Sequence, residues 1–300
     1  MSANMFREVY ARFNLHKAGR NWRGDCPVCG YPDSFILSRA HNGNVIGWCA
    51  SCQNNAAVAA ILRGAGAGDD TAERDNTAMR AKAADAKRNR QERAHALLTG
   101  AAPVQANDPA GKYLTSRGLG AFISSPAFRY RADCPHPSER WRYDALLCRI
   151  NDVHGEIIGV QRIFINRDGT KANAEPRKAS LGQTWGGAIR LTPAASEIVV
   201  GEGAETSASA GLLLGLPAWA AISAGNLATG LALPPKVRSI VIAADDDSVN
   251  AQGRNPGIEA AEAAARRWQA EGRKVRIIKP NTPGQDFNDV LTQRAATEAA

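Results

Sequence analysis

The segment "VRSIVIAADDD", residues 237–247, decides the fold of the C-terminal part of the chain. Its apolar, β-branched run is followed by three consecutive aspartates. This pattern predicts a buried strand with polar side chains at its carboxyl end. Like charges this close repel one another, so the cluster is costly unless a cation binds there. Alternate residues of a strand face the same way, which pairs Asp245 with Asp247 and turns Asp246 away. We expect a divalent-cation site; the alternative is a solvated turn in which Asp246 or Asp247 caps a helix.

A second strand with an acidic end lies upstream, in "SEIVVGEGAETSASA" (residues 196–210). Residues 198–200 form the strand, and the glycines beside Glu202 let a ligand approach the backbone closely. After the aspartates, the chain predicts a helix with Asn255 as its N-cap and Gly272 beyond its end. The alternation of strands and helices predicts a parallel α/β sheet.

In open α/β sheets, ligands collect at the carboxyl ends of the strands. Carboxylate oxygens at such a place suit Mg²⁺ or Mn²⁺. The predicted ligands are Glu202, Asp245 and Asp247. A third strand, "KVRIIKP" (residues 274–280), leads into the loop "NTPGQDFNDVL" (residues 281–291) and a last helix.

The four cysteines of "CPVCGYPDSFILSRAHNGNVIGWCASC" (residues 26–52) form two C-x-x-C pairs. The N-terminus lacks a signal-peptide pattern, so we expect a cytoplasmic protein, in which such pairs indicate a metal site rather than disulfides. Two strand-like runs joined by Asn42-Gly43 predict a hairpin between the pairs. A hairpin this small cannot bury enough apolar surface alone, so a structural Zn²⁺ would complete its core. Its predicted ligands are Cys26, Cys29, Cys49 and Cys52, whereas Cys134 and Cys148 are interpreted as inert thiols.

Cations and aromatic rings surround this cysteine module, which suits single-stranded nucleic acid because cations bind phosphates and rings stack on bases. The candidate contacts are Lys17, Arg20, Trp22, Arg23, Arg39 and Trp48. The alternative is a purely structural module, and one tryptophan is expected to pack the module itself. Residues 1–150 hold 21 Lys and Arg against 13 Asp and Glu, whereas residues 151–300 hold 16 of each. This uneven distribution of charge favours a polyanion as the partner of the N-terminal half.

We divide the chain into four parts. Residues 1–63 are a zinc ribbon that binds nucleic acid, and residues 64–106 are a flexible or helical linker opening with "GAGAGDD". Residues 107–195 are a mixed α+β segment, and residues 196–300 hold the parallel sheet flanked by helices. The sequence has no stretch of about eighteen apolar residues, so no membrane span is expected. It also has no P-loop motif.

Both motif sets resemble those of known families. The order "CPxC…SF…WCxxC" resembles the zinc-binding domain of bacterial and phage primases. The order E-x-G, D-x-D and G-x-D-F-N-D-V-L is typical of the Toprim domain of bacterial-type primases, topoisomerases and some nucleases. This sequence resembles that order, with Glu202-Gly203 as E-G rather than a strict E-x-G. "EGAETSASA" is similar to the E-G-Y-A-T-A motif of primases carried by satellite phages and plasmids, with Ala204-Glu205-Thr206 where that motif has Tyr-Ala-Thr. "GKYLTSRGL" (residues 111–119) and the stretch from residue 159 to residue 182 are similar to the segment before Toprim in those primases.

The resemblance implies phosphoryl transfer. Asp245 and Asp247 would hold the divalent metal, and Asp286 would extend the acidic cluster. Glu202 would share the metal or act as general base. The cations for the substrate triphosphate would be Arg162, Lys171 and Lys178, for which ordinary surface charge is the alternative reading.

On this basis we predict a DNA primase: the ribbon binds the single-stranded DNA template, and the polymerase unit (residues 107–300) makes a short RNA primer from ribonucleoside triphosphates. Without a P-loop, unwinding requires a separate helicase. The resemblance indicates a bacterial setting, with the gene on a phage, a plasmid or an integrated element. The alternatives are a non-catalytic zinc-finger and Toprim protein for DNA binding or recombination mediation, and a Toprim nuclease.

Overall fold

The computed structural model describes residues 13, 15–19, 21–28, 30–39, 45–50, 55–64, 76–245, 255–282 and 284–298. Several predicted positions lie outside these ranges: Arg20, Cys29, Cys52, Asp246, Asp247 and the Asn42-Gly43 turn. Within the described ranges the strands form an N-terminal, a central and a C-terminal sheet.

The N-terminal sheet is antiparallel, with the strand order β1-β2-β3-β4. Its strands are β1 (His16–Ala18), β2 (Asn21–Gly24), β3 (Phe35–Arg39) and β4 (Val45–Cys49). The pairing of β3 with β4 places Phe35 opposite Cys49, which confirms the predicted hairpin. Helix α1 (Asn55–Gly64) packs against β4. The core between them is small and consists of Leu15, Cys26, Phe35, Leu37, Val45, Cys49, Val58 and Leu62.

The central sheet is also antiparallel, in the order β5-β6-β7-β8. Its strands are β5 (Phe128–Pro135), β6 (Arg142–Asn151), β7 (Ile157–Ile165) and β8 (Lys178–Gly182). Two helices precede it, α2 (Asn76–Thr99) and α3 (Pro109–Ser116). Ala94 and Leu98 of α2 are buried against the sheet face that carries Phe164. The last turns of α2 therefore belong to the central fold, although the predicted linker included them.

The C-terminal sheet has the order β13-β12-β10-β11-β9. Its elements are β9 (Ile189–Arg190), β10 (Glu197–Gly201), α4 (Ala204–Leu214), β11 (Ala218–Ala220), β12 (Ser239–Ala243), α5 (Pro256–Ala270), β13 (Lys274–Ile278) and α6 (Phe287–Glu298). The four strands β10 to β13 are parallel, as predicted, and β9 is an antiparallel edge strand. Asn255 caps α5 through its side chain, and Gly272 follows the helix with a φ of 81°, as the sequence predicts.

The central and C-terminal sheets share one hydrophobic core. Tyr113, Phe128 and Ile163 from the central part pack with Val199 and Phe287 from the C-terminal part. A backbone link adds to this packing. Ala188 pairs with a residue of β6, and β9, which begins one residue later, pairs with β11. The described residues of the central and C-terminal parts therefore pack as a continuous body.

Among the residues that the structure describes, no helix combines the length and apolar character needed to cross a membrane.

Candidate metal and phosphate site

Two of the predicted carboxylates lie at the ends of neighbouring parallel strands. β10 and β12 pair in register with Gly201 opposite Ala243. Glu202 follows the end of β10, and Asp245 comes two residues after the end of β12. Because the two strands are parallel and neighbouring strands lie about 4.8 Å apart, both residues lie at the same edge of the sheet. This is the carboxyl-terminal edge, where ligands of open α/β sheets bind.

The turn that carries Glu202 is held by Ser207 in the first turns of α4. The Ser207 hydroxyl accepts a hydrogen bond from the Gly201 N–H at 3.1 Å and donates one to the Gly203 carbonyl at 2.7 Å. A Cβ at position 201 would lie 2.8 Å from the Ser207 oxygen, so only glycine lets the helix approach this closely. Position 202 is thus tied to both the strand and the helix.

The next strand adds a second restraint on Glu202. The Ile222 N–H, just after β11, donates a 2.7 Å hydrogen bond to the Glu202 carbonyl. Ile222 has a φ of 78°, a left-handed conformation that β-branched residues rarely adopt and that costs about 1–3 kcal/mol. Fully buried Asn226 supports the loop by donating hydrogen bonds to the carbonyls of Ala221 and Gly187.

Asp245 is oriented by two residues for which the sequence analysis predicted no role. The Thr206 hydroxyl donates a hydrogen bond to Asp245 Oδ1 at 3.0 Å. Gly257, at the start of α5, approaches so closely that a Cβ there would overlap the Asp245 carbonyl oxygen. Thr206 occupies the threonine position of the E-G-Y-A-T-A motif, and its hydroxyl gives Asp245 a hydrogen-bond donor.

We predict that Thr206→Val weakens Mn²⁺ binding by about tenfold, because loss of a hydrogen bond to a metal ligand typically costs 10–100-fold in affinity. Mn²⁺ titration calorimetry measures the change. Thr229→Val is the matched control, since the Thr229 hydroxyl donates to the Gly225 carbonyl and does not contact a carboxylate. Equal Mn²⁺ affinity in the two variants would contradict the role of Thr206.

The structure uses Asp286 as a helix cap. Asp286 Oδ1 accepts the Asp289 N–H at 2.8 Å, and Asp289 Oδ2 accepts the Asp286 N–H at 3.2 Å, so the two residues cap α6 reciprocally. Asn288, between them in the same turn, is buried and donates hydrogen bonds to Ser209 and to the Arg117 carbonyl. Part of the G-x-D-F-N-D-V-L motif therefore anchors α6 to the fold, and metal binding by Asp286 stays a prediction.

The donor set at this edge fits a hard divalent cation, because Glu202 and Asp245 supply carboxylate oxygens. In the part of the chain that the structure describes, no group of three or more His, Cys, Asp or Glu side chains is close enough to hold a metal ion. Asp247, a predicted ligand at this edge, lies outside the described residues.

A cluster of cations surrounds a buried carboxylate three residues after Glu202. Lys178 Nζ lies 2.7 Å from Glu205 Oε2, and Lys171 Nζ lies 2.9 Å from Glu205 Oε1. Arg117 Nη2 is 3.2 Å from Oε1, and the buried Tyr113 hydroxyl donates a further hydrogen bond to it. We call these five residues the Glu205 cluster. The structure thus brings the predicted phosphate ligands Lys171 and Lys178 together.

The charges within the cluster shift the pKa values of its members. Burial alone would raise the pKa of Glu205, but Lys178 and Lys171 outweigh burial and hold that pKa well below its ordinary value. Burial and the Glu205 charge raise the pKa of Tyr113, so the phenol stays protonated as a donor. Burial lowers the pKa of Lys171, whereas for Lys178 the carboxylates of Glu205 and Glu202 overcome burial and raise it. Glu205 makes the larger of the two carboxylate contributions to the raised pKa of Lys178.

Arg162, the third predicted phosphate ligand, is not in this cluster. β7 and β8 pair with Ile163 opposite Lys178 and Arg162 opposite Ala179, so Arg162 and Lys178 lie on opposite faces of the sheet. The Arg162 side chain is buried and donates hydrogen bonds to the Pro135 and Ala179 carbonyls. Its position supports a structural role.

In the N-terminal sheet, the structure describes two of the four predicted zinc ligands, Cys26 and Cys49. Cys26 and Cys49 are both buried, and Cys26 Sγ accepts the Val28 N–H at 3.4 Å. The Ser34 hydroxyl lies 3.2 Å from Cys49 Sγ. Gly30, with a φ of 69°, donates its N–H to the Cys26 carbonyl, which closes the loop after Cys26. Cys29 and Cys52 lie outside the described residues, while Cys134 and Cys148 are buried in the central sheet, as expected for inert thiols.

The predicted nucleic-acid contacts divide between the two faces of the N-terminal sheet. Trp22 pairs with buried Leu37 and packs against the core, as expected for one of the tryptophans. Trp48 is 42% exposed and lies on the opposite face together with Arg23. Lys17 and Arg39 are exposed. Trp48 therefore presents an exposed ring on the same face as Arg23.

Comparison with known families identifies the C-terminal part. Residues 88–191 match a domain of unknown function, DUF7146, and residues 197–297 match the Toprim domain. Residues 197–297 form a Toprim domain. The paired strand ends that carry Glu202 and Asp245 therefore belong to this Toprim domain, and the cations of the Glu205 cluster come from the domain before it. Curated proteins give no match to the sequence.

Several solved structures are similar. A DnaG primase catalytic domain bound to single-stranded DNA shares 17% identity over 72% of this chain and 81% of that chain, with a TM-score of 0.48. The zinc-binding and RNA polymerase domains of Aquifex aeolicus primase share 15% identity over 99% and 82%, with a TM-score of 0.43. The primase fragment of the bacteriophage T7 primase-helicase shares 14% identity over 92% and 96%, with a TM-score of 0.40. Similarities at this level do not identify an activity for this chain.

Proposed function

We propose that this chain is a DNA primase, which synthesises short RNA primers on single-stranded DNA by divalent-metal-dependent nucleotidyl transfer. One observation carries the proposal: in a Toprim domain, Glu202 and Asp245 follow neighbouring parallel strands at one sheet edge, and three cations surround Glu205, three residues after Glu202. Carboxylates for a metal and cations for a phosphate chain are the two components that phosphoryl transfer needs.

The reaction joins the 3′-hydroxyl oxygen of the growing primer to the α-phosphorus of the incoming ribonucleotide. The bond from that phosphorus to the β-phosphate breaks, and pyrophosphate leaves. Asp245 and Asp247 would hold Mg²⁺ or Mn²⁺, which when bound neutralises phosphate charge and lowers the pKa of the hydroxyl. Glu202 would share the metal or accept the hydroxyl proton. Lys171 and Lys178 would bind the phosphates of the ribonucleoside triphosphate.

The N-terminal sheet would bind the template. Cys26 and Cys49, buried and hydrogen-bonded at sulfur, support a structural Zn²⁺ held together with Cys29 and Cys52. The exposed ring of Trp48, on the same face as Arg23, supports stacking on the bases of single-stranded DNA. A separate helicase would unwind the duplex.

The test is primer synthesis by the full chain. The protein is incubated with single-stranded DNA, labelled ribonucleoside triphosphates and Mg²⁺ or Mn²⁺, and the products are separated by size. We expect short RNA products that depend on both template and metal. Metal-dependent cleavage of the DNA would instead indicate a Toprim nuclease. DNA binding with neither activity would indicate a non-catalytic binding or recombination-mediator protein, and either result would contradict the proposal.

A further inference from the structure

The Glu205 cluster joins two domains through one carboxylate. Glu205 stands in the first turn of α4, in the Toprim domain, and its side chain is 9% exposed. All four of its partners come from the preceding domain: Tyr113 and Arg117 at α3, Lys171 after β7 and Lys178 in β8. Glu205 is one of the positions at which the sequence departs from the E-G-Y-A-T-A motif.

The charges of the cluster do not balance. Three cations face one carboxylate, which leaves a formal surplus of two positive charges. The cations are also more accessible than their partner, since the side chains of Arg117, Lys171 and Lys178 are 31%, 29% and 40% exposed. Each lysine ammonium has three donors and contacts Glu205 with one. Because these side chains are partly exposed, an anion can reach them from solvent.

Glu205 restrains side chains that are otherwise flexible. A lysine side chain carries about 2 kcal/mol of rotamer entropy when free. Because Lys171 and Lys178 each contact a different oxygen of the same carboxylate, their ammonium groups are held close together despite their mutual repulsion. The buried Tyr113 hydroxyl fixes the carboxylate in turn.

We propose that Glu205 is a positioning residue of nucleotidyl transfer: an internal counter-ion that holds Lys171, Lys178 and Arg117 where the triphosphate binds, without contacting the substrate. This inference rests on the proposed function. Replacing Glu205 by a neutral side chain leaves the three cations in place but raises their formal surplus from two charges to three. Attraction for phosphate is then kept, and the placement of the cations is lost.

The test compares Glu205→Gln with the wild-type protein in two assays. In primer synthesis, we expect kcat per folded molecule to fall about tenfold or more, because misplaced cations no longer hold the triphosphate in the orientation needed for reaction. We expect the KM for ribonucleotides to change less than about threefold, since the charge that attracts them is not reduced. In calorimetry with tripolyphosphate, we expect the affinity to depend more steeply on salt than in the wild type, because the site carries an additional charge.

Glu139→Gln is the matched control. Glu139 also accepts a hydrogen bond from a tyrosine hydroxyl, that of Tyr143, but it contacts neither of the two lysines. We expect this variant to keep the wild-type kcat and the wild-type salt dependence. If Glu205→Gln does not fold, Glu205→Asp serves instead, because it keeps the charge and shortens the reach of the carboxylate. It should lower kcat with an unchanged salt dependence.

A purely structural role predicts a different pattern. Glu205→Gln would then melt at a lower temperature, but its folded molecules would show the wild-type kcat and salt dependence, and this result would overturn the inference. An unchanged kcat in Glu205→Asp would overturn it as well. If the wild-type protein makes no primer, the proposed function fails, and the salt dependence of tripolyphosphate binding alone decides whether Glu205 acts on the phosphate site.

Discussion

Asp245→Asn should lower the rate of primer synthesis by about 100-fold or more, because loss of one group that stabilises transition-state charge typically costs 10²–10³ in rate. The asparagine side chain has nearly the same volume, and its carbonyl oxygen still accepts the Thr206 hydroxyl hydrogen bond. The substitution therefore removes the negative charge while leaving the local fold in place. Primer yield against Mn²⁺ concentration measures the effect, and saturating metal should restore only part of the activity.

Asp246→Asn provides the control within the same triplet. The sequence predicts that position 246 faces away from Asp245 and Asp247, so this variant should retain the wild-type rate within about twofold. A loss as large as that of Asp245→Asn would show that the three aspartates act together, and it would contradict the assignment of two ligands. Full activity of Asp245→Asn would remove the basis for a metal site at this edge.

Removal of zinc should unfold the N-terminal sheet and abolish template binding. Among the residues that the structure describes, eight form the buried core of this sheet, and two of these are the cysteines Cys26 and Cys49. Binding of a structural Zn²⁺ supplies about 10–16 kcal/mol in comparable modules, far more than this core provides. We expect one zinc per chain in the purified protein, and we expect Cys49→Ser to lose both the zinc and at least about tenfold in affinity for single-stranded DNA.

Cys134→Ala controls for the loss of a buried thiol. Cys134 lies in the central sheet and is as inaccessible as Cys49, so its variant should keep the zinc and the DNA affinity. Metal analysis and fluorescence anisotropy with a labelled oligonucleotide measure the two quantities. Protein purified without zinc that still binds DNA with full affinity would contradict the predicted site.

Local patterns account for much of the fold that could be predicted. The β-branched runs before Glu202 and Asp245 mark buried strands, and Asn255 and Gly272 mark the limits of α5. These signals lie within a few residues of the structure they specify. The two strand-like runs between the cysteine pairs likewise predicted the hairpin of β3 and β4.

The parts that could not be predicted depend on long-range contacts. Tyr113 and Glu205 are separated by 92 positions, so nothing local indicates that they meet. The separation of Arg162 from Lys178 follows from the register of β7 with β8, which sequence alone does not provide. A signal for the cap at Asp286 was present, since acidic residues three positions apart at a helix start are typical of reciprocal capping.

The backbone link between the central and C-terminal sheets limits how this chain can be divided or recombined. Ala188 pairs with β6, and the next two residues pair with β11, so a break at residue 196 separates β11 from its edge partner. Exposed strand edges recruit other chains and promote aggregation. A Toprim domain transferred without β9 would therefore expose the edge of strand β11. The two domains are expected to be exchangeable between proteins only as a pair.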